Sequence, residues 1–174
     1  MRADAASFRG VVERHQSMVF SIALRMVGDR GAAEEVAQDV FVELHASLAG
    51  LESEEHVRFW LRRVTAHRST DSLRRRWRRP EFSAEEWTEQ HDRGEGVPSA
   101  RDDAVGTRLE QMLLSLPKGI RAAVVMRYQE DLTPGEIARV LEQPVATVKS
   151  NLQRGLELLR RKAETMLKEF VRER

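Results

Sequence analysis

Arg62, Arg63, Arg68, Arg74, Arg75, Arg76, Arg78 and Arg79 crowd one predicted helix with Trp60 and Trp77. A guanidinium is a permanent cation with a fork of donors that fits phosphate oxygens. Exposed aromatic rings stack on unpaired bases at about 1–3 kcal/mol each. The block therefore points to nucleic-acid binding. Trp60 is expected in the core, and Trp77 stands open between core packing and base stacking. A second stretch, Thr133–Leu159, reads as two helices joined by a tight turn. Thr133, Pro134 and Glu136 form a capping box with proline at the first helical position. Ile137, Val140 and Leu141 follow on one face, and Pro144 breaks the run. Val145, Val148, Leu152, Leu156 and Leu159 then recur at steps of three and four as a buried stripe. Off that stripe lie Thr147, Lys149, Ser150, Asn151, Gln153 and Arg154, whose side chains can reach phosphates and base edges. This is the pattern of a helix-turn-helix with its second helix in a major groove.

Catalytic chemistry finds no foothold. The chain has no cysteine, which excludes disulfides, thiolate metal sites and cysteine nucleophiles. Its five histidines, at 15, 45, 56, 67 and 91, are scattered, with no His-Glu-x-x-His and no Glu-x-x-His. His67 and Asp71 lie one helical turn apart, but two ligands are too few for a metal. There is no glycine-rich phosphate loop. No catalytic residue, metal or cofactor is expected.

Net charge over the 174 residues is only +1, yet it is sorted into blocks. Residues 1–55 carry five basic and ten acidic side chains, and residues 56–80 carry nine arginines and one aspartate. Residues 81–107 carry two basic and eight acidic side chains, and residues 108–174 carry thirteen and nine. Basic blocks of this kind are the electrostatic footprint of phosphate binding. No apolar run is long enough to span a membrane and no signal peptide is legible, so a cytoplasmic protein without membrane insertion is expected.

The elements that must position these residues are all helical, and the predicted fold class is all-α. A first helix over residues 5–27 carries Phe8, Val11, Val12, His15, Val19, Ile22, Ala23 and Met26 at helical spacing and ends at Gly28-Asp29-Arg30-Gly31. A second, from about Ala32 to Leu48, turns Val36, Val40, Phe41 and Leu44 inward; its other face holds Glu34, Glu35, Gln38, Asp39 and Glu43. This acidic face is either a solvated surface or a dock for a basic partner. A third runs from near Ser53 to about Arg79, with Phe59, Trp60, Leu61, Val64, Leu73 and Trp77 as its apolar side. Residues 80–104, rich in glycine, proline and acid, read as a linker with one helical turn at Ala84–Glu89. A second unit, 105–174, follows with Leu109, Met112, Leu113 and Leu116, then a helix opened by Pro117 with Ile120, Val124, Val125 and Tyr128, and then the helix-turn-helix.

Three motifs in this order resemble the extracytoplasmic-function sigma factors, promoter-recognition subunits of bacterial RNA polymerase. AAEEVAQDVFVELH (Ala32–His45) is similar to the family's polymerase-docking helix. FWLRRVTAHRSTDSLRRRWRR (Phe59–Arg79) is similar to the helix pair that melts and reads the −10 element. Leu113–Arg160 is similar to the domain that reads the −35 element. The resemblance implies two helical domains, region 2 over 1–79 and region 4 over 105–174. It implies that Glu35, Gln38 and Asp39 contact the beta-prime subunit of core polymerase. For the −10 element it implies phosphate contacts from Arg74, Arg75 and Arg76, base selection by Arg63, His67 and Asp71, and Trp77 nearby. For the −35 element it implies Thr147, Lys149, Ser150, Asn151, Gln153 and Arg154. Core RNA polymerase (beta-prime and beta), promoter DNA and an anti-sigma factor are the expected partners.

Relatives often read P-V-G-T-V-K/R-S-R where this chain has Ala146 and Asn151, and Gly155 replaces a common alanine, so the −35 sequence does not carry over. A glycine there is expected to weaken the helix by about 1 kcal/mol. The linker, as a relaxed coil, would span about 27 Å, short of the roughly 70 Å between two promoter elements two turns apart. It must be drawn out on the polymerase. Two rivals remain at this level: an all-helical adaptor that binds protein through its acidic face, and a stand-alone helix-turn-helix repressor.

Overall fold

The structure, a computed structural model, describes residues 8–77 and 102–172; for Trp77, 102–105 and 169–172 it describes the backbone alone. Every described element is helical, as expected. The chain divides into two compact units, 1–95 and 96–174. Most of the expected linker and its turn at Ala84–Glu89 lie outside the described residues.

Three helices build the first unit: α1 (Phe8–Val27), α2 (Arg30–Ser47) and, after a 3-10 turn at Leu48–Gly50, α3 (Glu54–Trp77). Val19, Ile22 and Met26 of α1, Val36, Val40 and Leu44 of α2, and Val57 and Leu61 of α3 form the core. Each such side chain contributes about 1.5–3 kcal/mol on burial. The α1–α2 corner follows from two adjacent residues. Gly28 takes φ 76°, a left-handed geometry that favours glycine, and donates its N–H to Leu24 O at 2.8 Å. Asp29 then caps α2, its carboxylate accepting the Ala32 N–H at 2.8 Å. Ser53 caps α3 in the same way through the His56 N–H.

Helix α3 forms as the single run expected from its spacing, uninterrupted from Glu54 to Trp77; the helix pair implied by the resemblance is not seen among the described residues. One expectation for α3 is corrected: its inner face is rotated from the expected one. Val57, Leu61, Thr65, Ser69, Ser72 and Leu73 are buried, while Phe59, Trp60 and Val64 are only half-buried, so Trp60 is not a core residue. Small polar residues on the inner side let α3 approach its neighbours closely; Thr65 satisfies its hydroxyl by donating to Leu61 O at 2.6 Å.

The second unit holds α4 (Asp102–Leu114), α5 (Lys118–Tyr128), α6 (Pro134–Leu141) and α7 (Val145–Arg172). Helix α4 begins inside the stretch assigned to the linker, since Asp102 and Asp103 suit a positive helix N-terminus. Leu114, Leu116, Val124, Val125, Met126, Ile137, Val140 and Val148 are buried, whereas Leu109 is 58% exposed. Arg121 is buried among them. Its guanidinium donates to the carbonyls of Leu114 and, at 3.0 Å, of Leu116, closing the end of α4. Burial lowers the Arg121 pKa to about 10, so the side chain stays charged at neutral pH.

The α7 stripe is corrected as well. Val145 and Leu156 are exposed, Leu152 and Leu159 are half-buried, and Val148 and Gly155 face inward. A Cβ at Gly155 would stand 2.7 Å from Val124 Cγ2 and 3.0 Å from Ile120 Cγ2. The glycine is there because α5 lies against it.

Candidate nucleic-acid interface

On α3 the backbone sorts the predicted −10 residues. Arg63, His67, Asp71 and Arg74 are all exposed and follow one another at steps of four, four and three, which places them on one outward stripe. Half-buried Trp60 stands one turn before Arg63 on the same side. Arg74 lies 3.6 Å from Asp71. Arg75 is exposed to one side of the stripe. Arg76 departs from the expectation: it turns back to the α1–α2 corner and donates to Asp29 Oδ1 at 3.0 Å. Arg68 turns toward α2, where its Nε and NH2 donate to Glu43 Oε2 at 3.0 and 2.6 Å. The Trp77 side chain, Arg78 and Arg79 lie outside the described residues.

On α2, Glu35, Gln38 and Asp39 are exposed on one side, and the spacing adds a fourth member that sequence reasoning missed. Val42, 74% exposed, sits three and four residues beyond Asp39 and Gln38. Its signal was the helical step itself, passed over because Val42 is apolar and was assigned to neither face. Gln38 and Val42 also rim a shallow groove of about 930 Å³ between α1 and α2, floored by Phe8, Val12, Phe20 and Phe41. Arg30 stands 5.9 Å over the Phe20 ring and pairs with Glu34 at 3.1 Å. The stripe is thus acidic, with an apolar groove at its edge.

In the second unit the capping box forms as predicted. Thr133 Oγ1 accepts the Glu136 N–H at 3.3 Å, and Glu136 Oε2 accepts the Thr133 N–H at 2.8 Å. Glu142 takes φ 53° to end α6, and Val148 N–H donates to Pro144 O at 3.1 Å to start α7. Thr147, Lys149, Gln153 and Arg154 are exposed; Ser150 and Asn151 are half-buried. At about 100° per residue, Lys149 and Asn151 lie roughly 160° apart around α7. They flank the helix on opposite sides, with Ser150, Gln153 and Arg154 between them. Gln153 donates to Glu157 at 3.2 Å.

Among the described residues no cluster of three metal-ligating side chains occurs, and no helix is long and apolar enough to cross a membrane. Residues 11–79 match sigma-70 region 2, and residues 107–159 match sigma-70 region 4. The chain is 25% identical over 169 residues to the ECF RNA polymerase sigma factor SigW of Bacillus subtilis, covering 92% of this chain and 90% of that one. It is 27% identical over 178 residues to the RNA polymerase sigma-H factor of Pseudomonas aeruginosa, covering 97% and 92%. Its fold is similar to that of the sigma factor RpoE of Bartonella quintana, solved with the anti-sigma factor NepR, at a TM-score of 0.70 and 15% identity over 91% of this chain and 98% of that one. The chain belongs to the sigma-70 family of RNA polymerase sigma factors, in its extracytoplasmic-function group.

Proposed function

We propose that this sigma factor gives core RNA polymerase its promoter choice through three surfaces with separate tasks. The observation that carries the reading is the outward stripe Arg63–His67–Asp71–Arg74 on α3. It brings cations, a base-reading imidazole and a carboxylate to one helical face. That face suits a single strand whose bases have left the stack. Unstacking costs a few kcal/mol per base, and Arg74, Arg75 and the stripe offset part of it. Glu35, Gln38, Asp39 and Val42 take the beta-prime subunit, the charges steering a basic surface and Val42 with the groove supplying apolar contact. In the second unit α7 enters the major groove at the −35 element. Ser150, Gln153 and Arg154 face the base edges, and Lys149 and Asn151, on opposite flanks, approach the two backbones.

The protein so described is a non-catalytic, cytoplasmic subunit. It has core polymerase and promoter DNA as partners, and an anti-sigma factor covers the exposed apolar positions when it is idle. The test separates it from a stand-alone repressor. Promoter fragments selected from the genome with core polymerase present are retested with and without core. Specific complexes that need core support the reading. Specific, palindromic sites bound equally well without core overturn it.

A further inference from the structure

The two halves of α3 are held by different means. Its first half is anchored by apolar side chains, Val57 at 5% and Leu61 at 0% exposure. Beyond Ala66 the buried inner face is Ser69, Ser72 and Leu73, and the Ser69 hydroxyl is buried with no hydrogen-bond partner among the described residues. Among the described side chains, one leucine is a thin apolar anchor for the half that carries His67, Asp71 and Arg74. Two inter-helix ion pairs act there instead, Arg68 with Glu43 and Arg76 with Asp29.

Resting on the promoter-reading function above, we infer that Arg68 and Glu43 are positioning residues for −10 reading: their pair fixes the DNA-facing half of α3 against the docking helix α2. Both Arg68 donors converge on one oxygen of Glu43, which fixes the guanidinium's direction as well as its distance. Glu43 lies one turn beyond Asp39 on α2, and Arg68 follows His67 directly on α3, so one contact joins the docking stripe to the reading stripe. The Glu43 hydrogen bond raises the Arg68 pKa against some desolvation, and the charges of Glu43, Asp39 and Asp71 add to it. Arg68 thus faces two acidic residues of α2, Glu43 and Asp39. The side chains are 41% and 38% exposed, and pairs this open contribute little to global stability. Their effect is on orientation, and Arg68 leaves the phosphate-facing set.

Glu43→Gln, Arg68→Gln and the double variant are compared with wild type for thermal melting, core-polymerase affinity, rate of promoter opening and salt dependence of promoter binding. Wild-type opening on a cognate promoter tests the promoter-reading function itself; the variants test the pair. Each single variant is expected to slow opening three- to tenfold. The double is expected to be no slower than either single. Melting, core affinity and the salt slope stay near wild type. A phosphate role for Arg68 would instead make Arg68→Gln lower the salt slope by about 0.9 while Glu43→Gln opened at the wild-type rate or faster. That result overturns the inference, as does unchanged opening in both singles, or a loss confined to melting or core affinity.

Discussion

One carboxylate oxygen of Asp29 serves two helices: Oδ1 accepts the Ala32 N–H at the start of α2 and the Arg76 guanidinium from the end of α3. The corner between α1 and α2 is thereby tied to the end of α3. Asp29→Ala removes the cap and strands the arginine, and is expected to cost about 1–2 kcal/mol in urea unfolding. Asp29→Asn keeps an acceptor for the Ala32 N–H but loses the ion pair, and should cost under half as much. Equal losses in the two variants would mean that the cap contributes nothing.

Arg75 and Arg76 are neighbours with opposite assignments. If Arg75 touches a phosphate, Arg75→Ala lowers the slope of log affinity against log salt by about 0.9 for the polymerase complex on promoter DNA, at unchanged stability. Arg76→Ala is expected to leave the slope alone and to lower stability by about 1 kcal/mol. Titrations between 50 and 200 mM salt, a range suited to such slopes, with a melt of each variant, distinguish the two. Equal slope changes would return Arg76 to the DNA face.

Gly155 is expected to resist the substitution that helix propensity favours. Alanine would gain up to about 1 kcal/mol as a helix former, but its methyl would press on the stiff Val124 side chain at 2.7 Å. Overpacking of this kind costs about 1–3 kcal/mol, so Gly155→Ala should be net destabilising. On a Val124→Ala background the same change should stabilise, and the double-mutant cycle should show coupling of about 1 kcal/mol or more. Stabilisation of the wild-type background by Gly155→Ala would contradict the close approach.

This example marks how far the sequence was legible. Local signals translated well. The Thr133–Glu136 capping box, the Pro144 break and the Gly28 corner depend on residues within one turn, and all formed as expected. The rotation of α3 and α7 did not follow from apolar spacing. Thr65, Ser69, Ser72 and Gly155 take inward positions because smallness lets helices approach, and a count of large apolar residues passes over them. Phe59, Trp60, Val145 and Leu156 were correspondingly placed too deep. On the candidate surfaces, Arg63, His67, Asp71 and Arg74 could be expected to share a face from their spacing. The diversion of Arg68 and Arg76 into ion pairs could not, because Glu43 and Asp29 are 25 and 47 residues away in the chain.

Arg121 makes a contribution that no stripe would suggest. Arg121→Ala leaves the Leu114 and Leu116 carbonyls without their donor and opens a cavity, and is expected to cost about 2–4 kcal/mol in the second unit. A base whose folded pKa lies below its unfolded value loses stability wherever both states are charged. That cost is relieved only as pH rises from about 10 toward the unfolded value. Wild-type stability should therefore show no pH dependence from this group between pH 6 and about 9. Urea melts of wild type and variant at two pH values within that range should give the same difference. A difference that grows with pH would contradict the assignment of a charged Arg121.

The central claim is that the two units act together, on polymerase, to choose a promoter. Run-off transcription with core polymerase, this protein and a pooled genomic promoter library measures it directly. The account predicts transcripts from a restricted promoter set sharing paired −35 and −10 sequences. They should be absent with core alone, and be lost on Glu35→Lys with Asp39→Lys in the docking stripe. Transcription that does not depend on adding the protein, or that starts without any shared sequence, would contradict it.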